Sequence, residues 1–328
     1  MKHYDHNFNE LGEVPQQFSE LFHQQAQLLY DLTGQKEEIY QIIQNRMANT
    51  ILITCGVENG SVVRPSMYNG RLSKFRLGNA AASVTLAKQV LKNDGWSFTT
   101  GINIRKGAYD PNNPKSYRGS LPHEVFHAMA ENVTAVFNDE GVCYAKGGFL
   151  VFRFDREDNL VSKLTATALN EGTTEMLANM FNNTMQTHSY TFPTFIARIL
   201  HCSRHSPSLL EAYLAEDEKV VESFFENFNQ NQSAITSNDL INLSTSEMVW
   251  LDEPENCLNV INASLQYSIS SLQTVEELED FYKYIEDLTI NIANTQNKNI
   301  GKDIMNMLTE LLNKRKLEIE SMTFGQMI

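Results

Sequence analysis

Cysteine is scarce in this chain. There are four among 328 residues, Cys55, Cys143, Cys202 and Cys257. They stand far apart and form no C-x-x-C pair, so they read as reduced thiols of an intracellular protein. Long apolar runs are also missing, and no stretch approaches the roughly 20 residues that cross a bilayer. The opening MKHYDHNFNELGEV is polar and lacks the apolar segment of a secretory signal, so the expected compartment is the cytoplasm. Basic residues are in short supply, 26 Lys and Arg against 40 Asp and Glu, for a formal charge of −14. A body this acidic is repelled by nucleic acid and by anionic lipid, which excludes both as general partners. Gly56, Gly60, Gly70, Gly78 and Gly107 build no P-loop and no dinucleotide fingerprint, and no GxSxG element is present. Internal repeats and long low-complexity tracts are absent too; the Asn/Gln-rich stretch 227–238 reads as a loop.

What remains is ordinary globular composition, 42% hydrophobic and 20% charged. Phe18, Leu21, Phe22, Leu28, Leu29 and Leu32 recur at helical spacing behind Pro15. Gly34 divides residues 15–47 into two helices, the second carrying Ile39, Ile42, Ile43 and Met47. The segment ILITCGV reads equally as a strand or a helix end. Residues 79–92 read as a helix closed by Asn93-Asp94-Gly95, and WSFTTGINIR (96–105) as a strand. A turn-rich loop is expected over 107–120, a helix over 121–135, a strand over 147–155 and a turn at 156–159. Helical spacing then runs with breaks from about 161 to 217. Thr274 and Glu277 have the spacing of a capping box, and a final amphipathic helix covers about 301–320. The expected class is α+β, mostly helical, with a small sheet. It divides into an N-terminal helical segment (1–95), a catalytic core (96–217) and a C-terminal helical subdomain (218–328).

Residues 123–127 read His-Glu-Val-Phe-His. Positions four apart lie one above the other on a helix, so His123 and His127 can present two imidazole nitrogens to one metal ion. Glu124 lies between them, placed to hold a water. In zinc peptidases this HExxH pattern supplies two ligands and the general base. The flanking Leu121, Val125, Phe126, Ala128 and Met129 make the helix apolar and therefore buried, and two buried His with a Glu need partners. A catalytic zinc needs a third protein ligand. The continuation that would supply a glycine and a third histidine has Ala130 and Val133 instead, which closes the metzincin route.

The segment 169–178, Leu-Asn-Glu-Gly-Thr-Thr-Glu-Met-Leu-Ala, resembles the NExxx(D/E) element of the gluzincins, the thermolysin-like superfamily. Its NEGTTE wording is similar to bacterial gluzincin-like proteins with NEGxTE after HExxH. The resemblance covers about residues 117–217 and neither end of the chain. It implies a zincin-like core with flanking helices, Zn²⁺ as the cofactor and Glu171 as the third ligand. It implies that Glu175 holds the ring of His123 and that Asn170 does similar work for His127. Tyr190 falls where the family carries a tyrosine, and Ala212-Tyr213-Leu214 where it carries a further motif. The gap between His127 and Glu171 is longer than in thermolysin and must hold an inserted strand and turn.

These features imply a zinc-dependent metallopeptidase that hydrolyses a peptide or protein substrate through a zinc-activated water, with Glu124 as general base. Tyr190 is the first choice for stabilising the oxyanion, ahead of His188 and His201. In gluzincins the substrate lies extended along an edge strand, and the resemblance implies strand 96–105 for that role, although its alternation suits an internal strand equally. The competing reading is a catalytically silent or highly restricted regulatory protein that keeps its zinc site. His201 and His205, also four apart, read as a helix C-terminus rather than a second metal site.

Overall fold

The structure, a computed structural model, describes the chain except residues 6, 8, 59–60, 69–70, 77–81, 92–94, 106–119, 133, 158, 185–189, 233–234, 247–251, 253, 296–297 and 326–328. Side chains are further described outside 17, 55–99, 104–105, 120, 134–135, 294–295, 298 and 323–325. The fold is α+β and mostly helical, with two sheets. The chain divides into one unit of residues 1–164 with 214–218, and a second of residues 165–213 with 219–328.

The first unit begins with two short strands, β1 (Lys2–Asp5) and β2 (Glu10–Glu13), which the sequence pattern does not announce. They are joined by an Asp5 carboxylate that accepts from the Asn7 and Asn9 backbone N–H groups. Helices α1 (Gln16–Leu32) and α2 (Glu37–Ala48) follow. Gly34 sits between them at φ +72°, a left-handed conformation that suits glycine. Strands β3 (Thr50–Glu58), β4 (Ser61–Tyr68), β5 (Arg71–Arg76), β6 (Ala82–Leu91) and β7 (Gly95–Arg105) precede α3 (Ser120–Ala130).

Residues 79–92 are therefore a strand over most of their length, not a helix. Helix-forming Ala, Leu, Lys and Gln give way to tertiary pairing. Ten residues of β6 run antiparallel to β7, from Ala82 opposite Ile104 to Leu91 opposite Gly95. The expected turn at Asn93-Asp94, like the loop 107–120 up to Gly119, lies outside the described residues. Strand 96–105 is found as β7, but it is internal. It pairs with β6 along one edge and with β3, parallel, along the other, and its start also meets β8 (Thr134–Val136). Its backbone groups are taken, so the expected docking of an extended substrate along it is corrected.

The α3 helix also ends earlier than 135. The chain leaves it at Ala130, and β8, β9 (Cys143–Gly147), β10 (Leu150–Phe154) and β11 (Leu160–Thr165) follow. Strand β11 replaces the start of the helix expected at 161. α3 is packed by α1, α2, β6, β7 and β9. Phe18, Phe22, Ala26 and Leu29 line the buried face of α1, while Val125, Phe126 and Met129 are fully buried on α3. Burial of each large side chain contributes about 1.5–3 kcal/mol, which fixes the rotation of α3 about its own axis.

The second unit is helical: α4 (Thr167–Phe181), α5 (Thr191–His201), α6 (Leu209–Leu214), α7 (Glu218–Gln230), α8 (Ser237–Ile241), α9 (Pro254–Ser270), α10 (Val275–Thr295) and α11 (Lys298–Gly325). The stretch 227–238 is less of a loop than expected. α7 continues to Gln230, and a capping box of Thr236 and Asp239 opens α8. The Thr274 and Glu277 box is present, with the Glu277 N–H donating to Thr274 Oγ1 at 3.2 Å. α5 packs on α4, α9 and α10, and Ser268 Oγ donates to the Ile199 carbonyl at 2.7 Å. No described helix is long and apolar enough to cross a membrane.

Candidate metal centre

The two histidines of HEVFH stand one turn apart on α3. His123 is buried and His127 half-buried. Their Nε2 atoms face each other at 3.1 Å, with ring centroids 4.8 Å apart. Two Nε2 atoms this close are compatible only if one carries a proton or both share a cation. A tetrahedral zinc with Zn–N of about 2.0–2.1 Å holds its nitrogens roughly 3.3 Å apart, close to the observed spacing. Both ends of α3 are held. Gln25 Nε2 on α1 donates to the Pro122 carbonyl at 2.8 Å, and the buried Arg46 guanidinium donates to the Met129 carbonyl at 2.8 Å. A cation at the C-terminal carbonyls also complements the helix dipole.

Glu171 lies in the second turn of α4, half-buried. One ligand atom each from His123, His127 and Glu171 lie within 4.8 Å of one another. Two imidazole nitrogens and a carboxylate oxygen are a donor set that could hold a divalent metal ion. The residues present fit the ion.

Asn170 and Glu175 are buried on α4, at 3% and 7% exposure. Buried groups of this kind need polar partners. Thr174 Oγ1 donates to the Asn170 carbonyl at 2.8 Å and meets the Tyr213 hydroxyl at 2.7 Å. Tyr213 is fully buried, so the Ala212-Tyr213-Leu214 segment tethers the NEGTTE helix. Gly172 permits a close approach. A Cβ there would stand 2.3 Å from the Pro193 carbonyl oxygen at the head of α5.

Tyr190 occupies the N-cap position of α5, half-buried, at φ 57° and ψ 42°. A tyrosine in the left-handed region is strained, and such strain persists where surrounding structure holds it, often at functional positions. Its carbonyl accepts from the Thr194 N–H at 2.8 Å. His188 lies outside the described residues. His201 closes α5, and burial together with the neighbouring Arg198 holds its pKa below the usual value. His205 lies beyond the helix, where its Nε2 meets Ser270 Oγ at 2.9 Å; among the described residues it belongs to no group that could hold a metal. The Cys202 thiol is pushed up to about 12 by burial, which keeps it from acting as a nucleophile.

One charged group was missed from the sequence. Glu131 lies just past the end of α3, where it forms an isolated bridge with Gly147. Its carboxyl is pushed up to about 7 by burial, against the pull of His127, Arg46 and Lys146. Lys146, 1% exposed, is held well below its usual value by burial and by Arg46. The chain was compared with family models, curated proteins and solved structures, and none of them matches it.

Proposed function

We propose that the protein is a zinc-dependent metallopeptidase of gluzincin type. The observation that carries the reading is the pair of facing Nε2 atoms on α3 with Glu171 within reach of the same point. His123, His127 and Glu171 would hold the ion. When bound, zinc lowers the pKa of a coordinated water toward about 7 and polarises a carbonyl. Glu124, half-buried beside His123, accepts a proton and passes it to the leaving amine. Asn170 and Glu175 orient the imidazoles. Tyr190, at the head of the helix locked to α4, donates its O–H to the developing oxyanion.

A regulatory protein with a purely structural zinc site has no use for Glu124, which favours the enzyme. Two measurements test the reading together: the zinc content of purified protein, and digestion of a peptide library with and without chelator. Stoichiometric zinc with chelator-sensitive cleavage supports it. Zinc without cleavage of any peptide leaves only the binding role, and absence of zinc after exposure to the ion contradicts both.

A further inference from the structure

We propose that Gln25 is a positioning residue for the metal centre, acting on ligand His123 through the backbone of α3. This rests on the metal reading above, and every contact it uses lies within the first unit. Gln25 stands fully buried on α1, in line with Phe22, Ala26 and Leu29, which are fully buried as well. Its Nε2 donates to the Pro122 carbonyl at 2.8 Å, across 97 residues of chain. That carbonyl belongs to the peptide plane that ends on the His123 nitrogen, so the bond grips the unit from which the ligand side chain projects. The tolerance is small. The Nε2 atoms of His123 and His127 face each other at 3.1 Å, and a tetrahedral zinc needs roughly 3.3 Å.

Two observations separate this bond from ordinary helix maintenance. Pro122 sits in the first turn of α3, where helix geometry already sends the Phe126 N–H to its carbonyl. The Gln25 bond is therefore additional. The other end of the same amide goes unused: Gln25 Oε1 is buried and has no hydrogen-bond partner among the described residues. A buried acceptor left unmatched costs stability. An apolar side chain of similar length would avoid that cost and leave no helix carbonyl unpaired. Stability therefore gives no reason for an amide here, whereas holding the turn that carries His123 does. Arg46, at the other end of α3, is the contrasting case. Its Nη1 donates at 2.8 Å to the carbonyl of Met129, one of the last four of the helix, which have no partner inside it.

The test is a Zn²⁺ titration of the full chain against a competing chelator. It is read beside urea unfolding of the metal-free protein and the visible absorption of Co²⁺-loaded protein, which reports ligand geometry. Gln25→Met keeps an unbranched chain of similar length and removes the donor and the unmatched acceptor together. It is expected to bind zinc about tenfold more weakly, the low end for an outer partner of a metal ligand, with altered cobalt bands. Its metal-free stability is expected to equal or exceed that of the wild type, and Gln25→Leu should behave alike. A packing role does not weaken binding while stability holds or rises. Wild-type zinc affinity and cobalt bands in folded Gln25→Met overturn the inference and leave the metal reading standing. A loss of zinc that comes with a matching loss of metal-free stability shows a packing role and overturns it too. A wild-type protein that binds no zinc overturns both.

Discussion

Replacing Gly172 by alanine asks how firmly α4 is locked to α5. In an ordinary helix interior the exchange stabilises, by about 1 kcal/mol. Here the new Cβ meets Pro193 backbone oxygen and carbon at 2.3 and 2.4 Å. Neither atom is the end of a flexible side chain. The 2.3 Å contact must open to about 3.4 Å, so the helices part by roughly 1 Å. Overpacking of this kind costs about 1–3 kcal/mol and more where backbone must move, so it outweighs the propensity gain. The expected net loss is about 1–2 kcal/mol, or a fall in Tm of roughly 2–8 °C for a unit of this size. Because Gly172 adjoins Glu171, zinc affinity should fall as well. Thermal unfolding of the metal-free protein and a zinc titration read the two effects separately. A variant as stable as the wild type, or more so, refutes the close-approach argument.

Four further outcomes follow. Glu124→Gln should retain zinc by elemental analysis and lose about 10²–10⁴-fold in peptide cleavage. Glu171→Ala should lose zinc, with His123→Ala behaving alike, while apo stability changes little by comparison. Tyr213→Phe removes the hydroxyl that meets Thr174 and should cost about 1 kcal/mol in urea unfolding. In chelator-treated protein the Glu131 carboxyl has its folded pKa raised by burial to about 7, above its ordinary 4.5. Its contribution is therefore present in full below the ordinary value and is lost as pH rises toward 7. Urea unfolding at several pH values should show that decline in the wild type and a shallower one in Glu131→Gln.

The amphipathic helices were legible because their burial follows a 3.6-residue period. Phe18, Phe22 and Leu29 of α1, and Ile304 and Leu308 of α11, are buried as their spacing requires. The sheet was much less legible. β6 is written in residues that favour helices, and only its ten-residue pairing with β7 decides its state. β1 and β2 are polar strands; His3, Tyr4 and Asp5 are placed by pairing with Leu52, Ile53 and Thr54 rather than by an apolar face of their own. Local pattern cannot report a partner fifty residues away. The same logic applies to β7, whose alternation suits an edge or an interior strand alike.

The candidate site divides the same way. The spacing of HEVFH placed His123 and His127 on one helix face, and the grouping of Glu171 with them was expected through resemblance. Glu131 lies just past the end of α3, and its surroundings, Gly147 and Lys146, are brought to it only by the folded chain. Arg46 is a further case. Nothing in the sequence of α2 signals that this side chain is buried and donates to the end of α3.

The most direct measurement is X-ray absorption at the zinc edge of protein loaded with one equivalent of the metal. The account predicts a shell of light atoms at about 2.0–2.2 Å, with the multiple scattering of two imidazoles and one carboxylate, collapsing in His127→Ala. A spectrum that needs sulfur at about 2.3 Å, or one that His127→Ala leaves unchanged, would contradict it.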